Sequence, residues 1–518
     1  MKIESGMKWP ITNALTHKMK EHSAWYSADP NIIADYYTND IDSYRSSLGV
    51  VERMTGATNM FWMRCFRNNT QYMMHVPIAN DISETSAAFL FGEPPVFRLN
   101  ETVSAVQDKA SVVASENSNI IKNQEVLDNM LVKTGFYQRI LEGAETCSAL
   151  GGVFLKLAWD TDVSPYPLLV IEQPDDAYPT FKFGELIEVT YCHEYSAGDK
   201  EGLTGKIYRH FETYKKGVIE NELWLGSTDS VGKKCSLSDC EATKGLKAKV
   251  DTYGLFLSAY VPNMLPNKLV RTSRTGRSDY YGIEGLMDAL DETFSDWMRD
   301  IQLAKGRVHL PESYLDGVED AKPRFNIDQD MYVKLDVDPT NDSQSITATQ
   351  FDIRSDQFEK TCLNLLDRII TSAGYSPQSF GLNIQGRAES GTALNIRERK
   401  SFSTTHKKES YWEKALKYIV TCMCELNNNI NPTEKISTVI DINVTFTANT
   451  SNNQESIANS VKMLADASAI STETKVRMVH PDWTEAKVQA EVQLIKNDSA
   501  LQMPDDLNNP DIDEMKNE

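Results

Sequence analysis

Asp288, Glu292, Asp296 and Asp300 recur at every fourth position, and only Arg299 interrupts their side. On a helix each step of four drifts by about 40°, so the four carboxylates spread over roughly 120° of the surface. Like charges four apart cost a helix about 0.2–0.5 kcal/mol per pair. Such a face is ordinarily a solvated one. A contrasting set, Arg397, Arg399, Lys400, Lys407 and Lys408, concentrates positive charge in an otherwise acidic chain. Between the two sets runs a stretch with Gly381, Gly386 and Gly391, whose polar composition suggests mobility and whose Arg387 is the better placed cation for a phosphate contact.

Catalytic chemistry finds no motif. No G-x-x-x-x-G-K-[ST] occurs; the nearest sequence, GSTDSVGK at residues 226–233, separates the glycines by one residue too many and is followed by Lys234 where Ser or Thr is needed. That spacing is what lets backbone amides surround phosphates and a hydroxyl reach Mg²⁺. G-x-G-x-x-G, H-E-x-x-H and G-x-S-x-G are absent as well. His193 beside Glu194, and His210 close to Glu212, are neighbours of a kind common by chance. The eight cysteines, at 65, 147, 192, 235, 240, 362, 422 and 424, are too sparse for a disulfide framework and follow no zinc spacing. The expectation is a chain that is not an enzyme, with no catalytic residue, cofactor or metal.

With 53 Lys and Arg against 74 Asp and Glu, the net charge of −21 excludes a basic protein that wraps nucleic acid. A chain of 518 residues predicts about three domains. No run approaches the ~18 apolar residues of a membrane helix, and Met1-Lys2-Ile3-Glu4 opens no hydrophobic signal core. A soluble protein made in a cytoplasm, without a membrane partner, is expected.

The elements that must position these residues are mixed, an α+β pattern. The chain to about residue 135 reads as mainly helical, with a buried helix at 78–91 stopped by Gly92 and a strand at 96–99. Short β-rich runs at 153–157, 168–171, 186–191 and 207–211 predict a largely antiparallel sheet region, and the polar stretch 226–245 an exposed loop or insertion. Ile283, Leu286, Met287, Leu290, Phe294, Trp297, Met298 and Ile301 then fall within one arc of a helix. Residues 304–351 alternate like a small β excursion, and 353–373 make a second amphipathic helix stopped by Gly374 and Pro377. A helix of unusual length follows from 392 to about 427. The end holds a helix-turn-helix, 456–467 and 484–495, and an acidic tail, 504–518, that is expected to be disordered.

Five ordered segments, HSAWYSADPNIIADYY (22–37), HVPIANDISETSAAFLFGEPPVFRL (75–99), GRSDYYGIEGLMDALDETFSDWMRDIQLAKGRVHLPE (276–312), SAGYSPQSFGLN (372–383) and SGTALNIRERKS (390–401), together resemble the portal proteins of long-tailed, siphovirus-type phages infecting Gram-positive bacteria. The resemblance implies a phage portal fold with 1–280 as a mixed α/β wing, 281–303 as the first stem helix, 304–351 as a small β-rich clip and 352–381 as the second stem helix. Residues 382–391 become the tunnel loop, 392–450 the long wing helix with a returning wing segment, and 451–518 a helical crown with the acidic tail.

The resemblance further implies a closed homomeric ring, in that family a dodecamer, at one capsid vertex of the virion, assembled in the host cytoplasm. Double-stranded DNA would pass through it in packaging and ejection. The clip would meet the terminase large subunit and later the head-completion adaptor, and other surfaces the scaffold and major capsid protein. In that setting Asp288, Glu292, Asp296 and Asp300 become a channel face that repels DNA, since bound phosphates would retain the duplex through counterion release. Asn383, Gln385, Gly386, Arg387, Ser390 and Gly391 become the tunnel loop. Arg397, Arg399, Lys400, Lys407 and Lys408 become inter-subunit salt-bridge partners, ahead of phosphate contacts, because a ring of acidic subunits needs such pairs. The alternative is another capsid-associated structural protein, an adaptor or minor coat protein, without translocation.

Overall fold

The computed structural model describes residues 3–11, 13–40, 61–62, 73–100, 110–198, 205–304, 307–309, 347–349, 352–382, 391–431, 435–436, 441–446, 454–467, 469–480, 483 and 485–501. In chain order the elements are α1 (Ala14–Tyr26), α2 (Pro30–Asp35), α3 (Ile78–Phe91), β1 (Val96–Asn100), α4 (Ala110–Lys133), α5 (Phe136–Leu150), β2 (Gly152–Ala158), β3 (Leu168–Glu172), β4 (Ala177–Lys182), β5 (Glu185–Ser196), β6 (Ile207–Lys215), β7 (Val218–Ser227), β8 (Ser230–Cys235), β9 (Lys249–Asp251) and β10 (Ser258–Pro262). There follow α6 (Glu284–Leu303), β11 (Arg307–His309), β12 (Thr347–Thr349), α7 (Ser355–Ala373), α8 (Gly391–Ile430), β13 (Asp441–Thr445), α9 (Gln454–Asp466), α10 (Thr472–Val479) and α11 (Glu485–Leu501). They gather into two compact units, one of Met1–Ser23, Asp81–Asp279 and Gly374–Glu518, the other of Ala24–Asn80 and Tyr280–Ala373.

In the first unit, α5 starts after Gly135 and ends at Gly151, whose φ of 88° gives the left-handed cap that lets the chain turn directly into β2. β2 is buried along almost its whole length between β10 and β3, which is why it reads as an apolar run rather than an alternation. β4 to β8 form an antiparallel meander, with β9 added on β7. α8 supplies Trp412, Leu416, Ile419, Val420 and Met423 to the core shared with β2, β10 and α5. Past α8 the chain returns as β13, which pairs antiparallel with β1 from Val96↔Thr445 to Asn100↔Asp441.

Two expectations fail here. The stretch 226–245 is not an exposed loop: it completes β7, turns into β8, and continues through two short 3-10 turns, the first capped by Ser236, with Val231 and Cys240 buried. Polar outward residues masked an edge strand, and Gly232 is required there because at φ 80° a Cβ would lie 2.0 Å from the Leu225 carbonyl oxygen. The C-terminal region has a third helix, α10, between the two expected. It is short, opens on the Ser471 cap and buries only Val476, too little to leave a periodic signal.

In the second unit α6 packs on α7, with Trp297 stacked on Phe358 at 6.3 Å and 7°. Ile283, Met287 and Leu290 of the predicted arc are buried, whereas Ile301 near the far end is exposed. Beyond α6, β11 and β12 pair antiparallel from Arg307↔Thr349 to His309↔Thr347; most of 304–351 lies outside the described residues.

Candidate functional site

The acidic side of α6 is divided. Asp288 is 5% exposed and accepts the backbone amides of Phe61 (2.7 Å) and Trp62 (3.3 Å). Asp291, one turn further, accepts the Trp62 indole N–H (3.0 Å) and the Val76 amide (2.8 Å) and faces His75 Nδ1 at 2.8 Å. Ser295 Oγ accepts the Met74 amide at 3.0 Å. Buried backbone amides need acceptors, and these side chains provide them. Burial pushes the Asp288 carboxyl up to about 6, with the two amides pulling it back and Asp291 and Glu292 pushing further. Burial also raises Asp291, against the pull of His75, Val76 and Trp62.

Asp288 therefore does not belong to a water-facing stripe, which corrects that expectation. Helical spacing ranks positions around an axis, but it does not tell which segment from elsewhere in the chain covers them. Asp296 is exposed and Glu292 half-buried. Asp300 is half-buried, with Nε of Arg354, the residue before α7, at 3.4 Å.

Asn383, Gln385, Gly386, Arg387 and Ser390 lie outside the described residues; Gly391 opens α8. Arg397 lies on α8, while Arg399, Lys400 and Lys407 are exposed along it. Arg399, Phe402, His406 and Lys407 line a shallow groove on that helix.

Lys408 departs from its set. It is 2% exposed, and its ammonium donates to Asp279 Oδ2, Ser86 Oγ (2.7 Å) and Tyr375 OH (2.9 Å). Asp279 also accepts Ser148 Oγ (2.7 Å), Tyr375 OH (3.0 Å) and Asn263 Nδ2 (2.8 Å). Burial alone would lower the Lys408 pKa; the Asp279 carboxylate and Tyr375 outweigh it, and the net direction is up. Both partners are saturated inside one unit, so Lys408 is neither an inter-subunit nor a phosphate contact. A signal was available: Lys408, Trp412, Ala415, Leu416 and Ile419 share one helical face, and the last four are core. Nothing in the sequence spacing marks Asp279 or Tyr375 as the counterparts of Lys408, or His75 as that of Asp291.

The chance pairs noted in the sequence come together on the antiparallel sheet of β4 to β8, where His193 faces His210 across β5 and β6. His210 Nε2 bonds Asn221 Oδ1 at 3.0 Å, and Lys156 Nζ reaches Glu212 at 2.8 Å as well as Glu172. Burial lowers both histidines, with Lys156 adding to it. This satisfied polar cluster braces a sheet. The described cysteines, at 147, 192, 235, 240, 362, 422 and 424, are free thiols, and Cys65 lies outside the described residues.

Among the described residues no helix is long and apolar enough to cross a membrane. No curated protein matches the chain significantly. Solved structures that align along it include the chain described as "Virion of native gene transfer agent (GTA) particle", 10% identical over 92% of this chain and 96% of that one with a TM-score of 0.42, and "Neck of empty GTA particle computed with C6 symmetry", 11% identical over 83% and 97% with a TM-score of 0.41. The family model "Phage portal protein, SPP1 Gp6-like" matches residues 23–504. Matched over far more than half its length, the chain belongs to the SPP1 Gp6-like phage portal protein family.

Proposed function

We propose that this structural protein of a phage capsid vertex forms a closed ring, a dodecamer, in a long-tailed phage of a Gram-positive host, and that double-stranded DNA passes through its centre in packaging and ejection. The observation that carries the reading is the family match over residues 23–504. The paired helices α6 and α7, followed by the 40-residue α8, support the division into stem and long wing helix. In this reading 1–280 is wing, 304–351 clip, 382–391 tunnel loop and 451–518 crown with tail. The ring assembles in the host cytoplasm on scaffold and major capsid protein, receives the terminase large subunit as a separate motor, and later binds the head-completion adaptor.

The channel-facing acids reduce to Glu292 and Asp296, with Asp300 held near Arg354. Arg399, Lys400 and Lys407 remain the inter-subunit candidates, with Arg397 and the tunnel-loop Arg387 alongside them. Because Glu292 and Asp296 are less buried than Asp288, replacing both by Lys is expected to leave ring assembly intact. The altered surface attracts phosphates with an affinity that falls steeply as salt rises. Phage carrying the change should package DNA more slowly than wild type, most clearly at low ionic strength, with the Gln pair intermediate. Packaging at the wild-type rate across the salt range would remove these acids from the channel.

A further inference from the structure

Residues 263–278 carry Lys268, Arg271, Arg274 and Arg277 and no acid, the reverse of the chain's average. Among the described residues none of the four stands in an ion pair; Arg277 is spent on the Pro266 carbonyl oxygen at 2.9 Å. The loop is nevertheless firmly built. The Arg277 amide donates to the Met264 carbonyl (2.9 Å) and closes it. Buried Asn267 accepts the amides of Leu269 and Val270 (both 3.0 Å) and donates to the carbonyls of Thr275 (3.3 Å) and Gly276 (3.0 Å). Gly276 admits no side chain, since a Cβ would lie 2.2 Å from the Gly151 carbonyl oxygen. Lys268, Arg271 and Arg274 are exposed on this preformed surface.

Beside it stands the two-residue turn between β4 and β5, Phe183 at φ 54° and Gly184 at φ 92°. A turn with both φ values positive favours Asn-Gly, and a bulky aromatic at its first position is strained. Burial returns nothing for that strain, because Phe183 is 95% exposed. Strain kept without a folding return is a reason to look for a binding role. The Arg274 guanidinium lies 3.7 Å from where a Cβ on Gly184 would be. Under the turn opens a cavity of about 800 Å³ whose apolar lining includes Met7, Ile11, Leu15, Tyr178 and Phe181, with Arg274 and Thr275 also on its wall.

We propose that this surface docks an acidic polypeptide segment of another protein, its carboxylates on Lys268, Arg271 and Arg274 and one hydrophobic side chain in the cavity beside Phe183. Arginine forks match carboxylates bidentately, and a rigid cationic loop loses little freedom on binding. A nucleic-acid duplex would use the cations alone and leave the apolar cavity and Phe183 idle. The inference stands apart from the channel reading, since it rests on a single unit of a single chain.

The test titrates the full-length protein with a labelled short peptide that carries acidic residues on both sides of a central phenylalanine. Saturable binding is expected, weakening as salt rises and at least about tenfold weaker when the central residue is serine. R271E/R274E should weaken it by a similar factor. F183N should also weaken it while leaving the thermal midpoint unchanged or higher, because Asn suits the turn. No saturable binding, binding indifferent to both sets of substitutions, or a duplex DNA that binds more tightly with the same arginine dependence would overturn the proposal. So would loss of self-association in R271E/R274E, which would make the loop an interface between copies of this chain.

Discussion

Lys408→Met is expected to destabilise the unit that contains α8 by about 3–5 kcal/mol, because removing one member of a buried pair strands the other charge in a dry site. Asp279 would keep Ser148, Tyr375 and Asn263 as donors but lose its counter-ion. The double variant D279N/K408M should recover much of the loss, since it removes both charges together. Calorimetry on the purified chain reads this as a lowered first transition in K408M that returns toward wild type in the double variant. K408R separates this account from a surface role: a phosphate or inter-subunit contact would tolerate arginine, whereas the closed network around Ser86 and Tyr375 has no place for a guanidinium. A K408M transition within about 0.5 kcal/mol of wild type, the scale of an ordinary surface substitution, would show that the network is not formed.

The second large effect belongs to the buried acids of α6. Asp288 has a folded pKa of about 6 against an ordinary 3.8. A raised carboxyl contributes stability that is fully present below the unfolded value and is lost as pH rises through the folded one. The stability difference between wild type and D288N should therefore shift by roughly 2 kcal/mol between pH 4 and pH 7, moving against the wild type as pH rises. Asp291→Ala behaves differently. It strands the Trp62 indole N–H and the Val76 amide, each costing about 1–3 kcal/mol when buried without a partner, at any pH where the protein folds. Denaturation of both variants at several pH values checks the pair of expectations, and a D288N difference that is flat with pH would contradict the burial of Asp288.

What the sequence disclosed follows from how each signal is encoded. α3 spans the predicted 78–91, and α6, α7 and α8 fall within a few residues of their expected bounds, because periodic apolar faces and Gly or Pro stops are local properties. β2, β3, β5 and β6 were equally visible as β-branched and aromatic runs between turns. The edge strand β8 and the short α10 were hidden by their polar surfaces. At the site, the acids of α6 were found, but their division into buried and open depended on Phe61, Trp62, Met74 and Val76, more than 200 residues away in sequence. Lys408 was grouped with its neighbour Lys407 by charge when helical phase puts them about 100° apart, one toward the core and one toward water.

With Lys408 withdrawn, Arg399, Lys400 and Lys407 are the exposed cations of that set on α8. A closed ring needs heterologous contacts between unlike surfaces, and the proposal assigns one half of such a contact to this basic strip. The central claim is that copies of this chain close into a ring around a passage for DNA. Electron microscopy of the purified protein tests it most directly. The account predicts closed rings of uniform subunit number, with a central aperture wide enough for duplex DNA. Monomers at every concentration and salt tested, open filaments, or closed rings with no such aperture would contradict it.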